Sequence, residues 1–172
     1  MEGFDITMKE GIPMFQSLTY SGTREEQYAA LCSQLAALVA DESSRIANLA
    51  NASALLNQFL GRVNWVGFYL IENNELVLGP FQGLPACVRI PLGKGVCGTS
   101  ASLRETVRVA DVHEFPGHIA CDAASQSEIV VPILKDGELL GVLDIDSPEK
   151  NRFDEEDQAG LEAFVRTLAA AL

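Results

Sequence analysis

The sequence predicts an α+β fold, an antiparallel sheet with helices packed on one face. Three observations lead there. Apolar residues recur at helical spacing at both ends of the 172-residue chain, strand-like runs fill the middle, and Asp136-Gly137 forms a tight turn between two of those runs. Residues 1–22 lack periodicity and carry Gly11, Pro13 and Gly22, so they are expected to be a loose lead-in to a single domain over 23–172.

Thr23 begins the first helix, with Glu25 and Glu26 in its first turn and Tyr28, Leu31, Leu35, Leu38 and Val39 on one face. A second helix is expected from Ser43 or Ser44 to Leu60, with Ile46, Leu49, Leu56, Phe59 and Leu60 as its stripe and Gly61 ending it. The period then shortens. Val63 to Ile71 predicts a central strand apolar on both faces, and Asn73-Asn74 turns into a strand over Glu75 to Leu78. Pro80 to Glu128 is expected to be irregular, broken by short strands at Val88 to Ile90 and Thr106 to Val109. It holds three of the four cysteines and both histidines, which places the site there. Ile129 to Leu134 and Glu138 to Ile145 form the hairpin. The last helix opens on Asp154 as N-cap, has Glu155, Glu156 and Asp157 in its first turn, and buries Leu161, Phe164, Val165, Leu168 and Leu172 against the N-terminal helices or a second subunit.

Composition narrows the function. The net charge of −12 argues against nucleic acid, whose phosphates demand Lys and Arg. No apolar stretch is long enough to span a bilayer and the N-terminus lacks a signal-peptide pattern, so a cytoplasmic location is expected. In a reducing compartment Cys32, Cys87, Cys97 and Cys121 rest as thiols, and a disulfide among them is transient and catalytic rather than architectural.

Gly93-Lys94-Gly95-Val96-Cys97-Gly98 matches a dinucleotide-binding pattern, but Pro91 interrupts the preceding strand and too few residues follow for a crossover helix. The glycines instead let a loop turn tightly and bring Cys97 close to other backbone. His113, His118, Cys97 and Cys121 lack the close ligand pairs of structural zinc sites, so no metal is expected. Cys32 sits beside Leu31 and Leu35 on a helix and reads as a small hydrophobe. Cys87, Cys97 and Cys121 fall outside apolar stripes and are expected to be accessible loop thiols.

Carboxylates form a second constellation. Asp144 and Asp146 share a sheet face by period two, and the hairpin brings Glu128 opposite roughly Ile145, between them, unless a bulge shifts the register. Crowded carboxylates repel, so one keeps its proton and can donate it. Trp65 and Tyr69 also share a face. They suit either core packing or the aromatic wall of a pocket for an ammonium or a thioether methyl.

Trp65-Val66-Gly67-Phe68-Tyr69, Gly79-Pro80-Phe81-Gln82-Gly83, the Gly93 to Gly98 run, His118-Ile119-Ala120-Cys121, Ser127 to Pro132 and Gly141 to Asp146 together resemble the free methionine-(R)-sulfoxide reductases, enzymes built on a GAF domain. The resemblance spans about Thr23 to Leu172 and leaves Cys32 outside its pattern. It implies a GAF-like six-stranded antiparallel sheet, a buried pocket for free methionine sulfoxide, a homodimer, no bound cofactor, and recycling by thioredoxin. It also implies that Cys121 attacks the sulfoxide sulfur while a protonated member of Glu128, Asp144 and Asp146 donates to the oxygen. Cys121 is left as a sulfenic acid for Cys87 or Cys97 to resolve. Cys87 is the preferred resolver because Cys97 sits in a constraining glycine turn. The alternative is a GAF module that binds a small molecule or senses redox state without chemistry. A sensor would adjoin an output domain, and none follows the C-terminal helix, which favours the enzyme.

Overall fold

The computed structural model describes residues 19–172, so most of the expected lead-in lies outside the described residues. Helices α1 (Arg24–Val39), α2 (Arg45–Phe59) and α4 (Glu155–Ala169) flank a six-stranded antiparallel sheet. Its strands are β1 (Trp65–Glu72), β2 (Glu75–Gly83), β3 (Arg89–Pro91), β4 (Val107–Val109), β5 (Ser127–Lys135) and β6 (Glu138–Ser147), in the spatial order β3-β2-β1-β6-β5-β4. A fourth helix, α3 (Gly95–Leu103), packs on the opposite face. Among the described residues no helix is long and apolar enough to cross a membrane.

Local chemistry explains the helix ends. Thr23 and Asp154 close capping boxes with Glu26 and Asp157, each satisfying backbone donors that the first turn leaves unpaired. Ser44 caps α2. Gly61 does not end α2 as expected: the helix stops at Phe59 with Leu60 extended, and Arg62 takes the left-handed conformation. Ile46 also departs from the expected stripe. It is 72% exposed, and Asn48 turns inward nearby, its amide donating to the Glu42 carbonyl. Leu172 lies beyond the end of α4 and is half-buried against the core.

The two sheet faces have different occupants. Val66, Phe68, Ile129, Val131, Ile133, Leu143 and Ile145 point toward α1, α2 and α4 and form the larger core. Trp65, Tyr69, Val130 and Val142 point the other way, toward α3. Asn73-Asn74 and Asp136-Gly137 all have positive φ, the geometry two-residue hairpin turns require.

The β5–β6 register differs from the expected one. Near the turn Lys135 pairs with Glu138 and Leu134 with Leu139, but beyond an irregularity at Ile133 and Leu134 the pairs become Ile133 with Gly141 and Glu128 with Asp146. Burial forces the shift. Without it Ile129 would face Asp144 and Glu128 would face Ile145, setting a carboxylate against the helix-packed core.

α1 and α4 are tied by a buried carboxylate. Asp157, 1% exposed, accepts from Tyr28 Oη at 2.7 Å, Arg24 Nη2 at 2.5 Å and Arg152 Nη1 at 2.9 Å. Burial alone would raise its pKa, but the Tyr28 hydrogen bond, the Arg152 charge, the Asp154 amide and Arg24 outweigh it and hold it below the ordinary value. A depressed carboxylate stabilises the fold above its unfolded pKa of about 3.9, and that contribution is lost as pH falls through the lower folded value. Asp157→Asn, which leaves Arg152 buried without its counter-charge, is expected to cost about 3 kcal/mol at neutral pH and to flatten the acid limb of the stability profile. Urea unfolding across acidic and neutral pH measures both effects.

Candidate active site

The site lies on the α3 side of the sheet, where β1, β5 and β6 are adjacent. Alternation along β5 and β6, with the shifted register, places Glu128, Asp144 and Asp146 on one face. Glu128 and Asp144 are 5% and 6% exposed, and Asp146 is partly exposed. Burial, then mutual repulsion, pushes all three carboxyls well above the usual range. The Asp144 Oδ1 atom is buried without a hydrogen-bond partner among the described residues. Such a group keeps a proton near neutral pH or awaits a cation.

The segment expected to be irregular is more ordered than its composition indicates. β2 runs on to Gly83, and Gly95 to Leu103 form α3, so Cys97 is on a helix. The glycines of this stretch obscured it, because they weaken helix propensity and leave a short apolar pattern. Gly98 is needed for packing, since a Cβ there would overlap the Pro91 carbonyl. Cys97 is therefore not an accessible loop thiol. It is 4% exposed, its Sγ is 3.9 Å from Glu128 Oε1, and burial followed by the charges of Asp144, Glu128 and Asp146 pushes its pKa well up.

Cys87 and Cys121 do lie in loops, and a disulfide joins them across 34 residues with Cα atoms 5.7 Å apart. Cys121 lines the cavity, as does Ala86, the residue before Cys87 in the chain. The cavity holds about 520 Å³ including its mouth, bounded by Trp65, Tyr69, Cys97, Cys121 and the three acids. Trp65 stacks with both Tyr69 (5.8 Å between ring centroids) and Phe81 (5.1 Å). Sequence reasoning missed Phe81, and the signal for it was Gly67, opposite Phe81 on β1, where any side chain would collide with both Trp65 and Phe81.

His118 lines the cavity with its Nε2 3.6 Å from Glu128 Oε2, and burial lowers its pKa. His113 is instead exposed and bonded to Asp111. The ligating atoms that come together are those of Cys97, Glu128 and Asp144, within 4.8 Å of one another, a set able to receive a cation but different from the histidine set considered from sequence. Cys32 is half-buried on α1, remote from these residues in the fold, with a pKa raised by burial.

A cysteine pair joined as a disulfide thus lies beside buried acids and an aromatic wall. The GAF domain model matches residues 32–172. The free methionine-R-sulfoxide reductase of Escherichia coli K12 is 54% identical over 149 residues, covering 87% of this chain and 90% of that one. This chain belongs to the free methionine-R-sulfoxide reductases of the GAF family. Solved members share the fold closely. The enzyme of Neisseria meningitidis in complex with its substrate superposes with a TM-score of 0.85 at 44% identity, covering 91% of this chain and 95% of that one. The fRMsr of Staphylococcus aureus, also in complex with substrate, gives 0.82 at 58% identity, covering 90% and 99%.

The accessibility of Cys87, Cys97 and Cys121 is directly measurable. After reduction, a thiol reagent is expected to label Cys87 and Cys121 quickly in the native protein, and Cys97 orders of magnitude more slowly until the fold is opened by denaturant. Mass spectrometry of labelled peptides reads each site, and rapid labelling of Cys97 would contradict its burial.

Proposed function

We propose that the protein reduces free methionine-(R)-sulfoxide to methionine, with Cys121 as nucleophile and Cys87 as resolving thiol. The observation carrying this reading is the Cys87–Cys121 disulfide beside a cavity whose floor presents Glu128, Asp144 and Asp146. Cys121 attacks the sulfoxide sulfur while a protonated acid of the trio donates to the oxygen, which makes the sulfur electrophilic. The remaining carboxylates stabilise positive charge on sulfur and receive the substrate ammonium, the cation this desolvated cluster lacks. The oxygen then passes from the substrate sulfur to the Cys121 sulfur as the bond between the two sulfurs breaks, methionine departs with its sulfur reduced, and Cys87 attacks the resulting Cys121 sulfenic acid, expelling the oxygen as water and forming the disulfide. Burial of Cys97 against Glu128 supports leaving it out of the resolving role.

Substrate selection follows from the walls. Trp65 and Tyr69 offer an apolar face to the methyl group. The N-terminus of α3 opens onto the cavity at Gly95 and Val96, and its N-cap Lys94 places no side-chain cap on the orphan backbone amides. Those amides and the helix dipole suit the carboxylate of a free amino acid, which a peptide-bound residue does not present.

Recycling requires a dithiol donor, and we assign this to thioredoxin acting in the reducing cytoplasm. The reading treats 23–172 as the catalytic unit, working as a homodimer. Cys121→Ser is expected to abolish turnover, whereas Cys87→Ser gives about one methionine per site and stops at sulfenic acid. A stereospecific assay comparing free and peptide-bound sulfoxide, coupled to thioredoxin oxidation, measures these outcomes, and full turnover by Cys121→Ser would refute the mechanism. Because the acid must be protonated and its pKa is raised, kcat/KM is expected to hold at neutral pH and fall as pH rises through that value. A rate that climbs steadily with pH, following thiolate formation alone, would remove the acid from the mechanism.

A further inference from the structure

The two redox segments are irregular, yet both are anchored to the same strand. Asn64, the residue before β1, donates from Nδ2 to Asp122 Oδ2 at 2.9 Å and to Ser125 Oγ at 3.1 Å. Its backbone amide donates to the Asp146 carbonyl at 2.9 Å. Asp122 directly follows Cys121, and its Oδ1 accepts from the Ala124 amide at 2.8 Å, so the Asn64 contact fixes the turn that carries the sulfur. On the other side, Tyr69 Oη donates to the carbonyl of Cys87 itself at 2.9 Å, and Trp65 Nε1 donates to the Leu84 carbonyl at 3.1 Å. Asn64 Oδ1 is buried with no partner among the described residues. A buried acceptor left unpaired destabilises the fold, so the amide is held there for what its nitrogen does.

We infer that Asn64 and Tyr69 are positioning residues for the recycling step, holding the Cys121 loop and the Cys87 segment to one strand so that the Cys121 sulfenic acid meets the Cys87 thiol. The inference rests on the reductase reading above. In this step the Cys87 sulfur attacks the Cys121 sulfur, the S–S bond forms, and the S–O bond breaks. Hydroxide leaves and takes up the Cys87 proton as water, Cys87 being oxidised and the Cys121 sulfur reduced. Disulfides form only when the Cα atoms approach within about 7 Å, so two untethered loops would seldom present their sulfurs correctly. β1 is the physical reason they do. It lies in the middle of the sheet, paired on both sides, and its residues do not move independently.

The test separates the two half-reactions. Reduced full-length enzyme is mixed with methionine-(R)-sulfoxide without reductant and quenched over time in a sulfenic-acid trap. Methionine, trapped Cys121 and disulfide are then quantified. For Asn64→Ala, methionine release is expected within about twofold of wild type while disulfide formation slows about tenfold and trapped sulfenic acid rises. Tyr69→Phe keeps the aromatic ring and removes one oxygen. Because Tyr69 also lines the cavity, the expected result is a disulfide step slowed several-fold more than methionine release. This variant carries the test alone if Asn64→Ala does not fold. Equal slowing of both steps, or an unchanged disulfide rate, overturns the inference. A wild type that releases no methionine overturns the reductase reading as well, whereas normal release with an unchanged ratio of the two rates in the variants overturns this inference alone.

Discussion

Leu140, the residue without a partner in the β5–β6 hairpin, decides which face of the sheet Glu128 occupies. Strand side chains alternate, so one extra residue reverses every position beyond it. With the shift, Ile129 meets Ile145 and Val131 meets Leu143 on the helix-packed side, while Glu128 meets Asp146 on the other. Hydrocarbon burial against α1, α2 and α4 is therefore what gathers the acids. The site is the reverse side of the core, and its carboxyl groups stay close because the apolar pairs behind them cannot slide.

That arrangement sets the electrostatics. Buried carboxyl groups facing one another are held in a state that favours proton retention or cation capture. Both properties serve sulfoxide reduction as proposed, in which an ammonium arrives and an oxygen must be protonated. The same environment raises the pKa of Cys97, keeping that thiol neutral beneath the pocket, while Cys87 and Cys121 lie in loops. Three cysteines that look alike in the sequence thus have different surroundings.

Regular and irregular backbone divide along the same line. The acids and the aromatic stack of Tyr69, Trp65 and Phe81 stand on central strands. The sulfurs that change partners in the proposed mechanism stand on loops tethered by a few hydrogen bonds. Preorganised charge loses effect if it wanders, so the acids gain most from standing on the sheet.

Much of this was legible from local pattern. Helical periodicity found α1, α2 and α4, capping residues located their starts, and Asn73-Asn74 and Asp136-Gly137 marked hairpins, because each signal is written within a few neighbouring residues. The chain's chemistry was legible as well, in the acids of β5 and β6 and the cysteines between them. Tertiary structure alone decided the hairpin register, the burial of Cys97 on a short glycine-rich helix, the exposure of Ile46, and the roles of Asn64, Phe81 and Ser125 as neighbours of the site. Each of these depends on contacts between residues far apart in the chain, and in those contacts burial of the whole sheet outweighs the preference of any one segment.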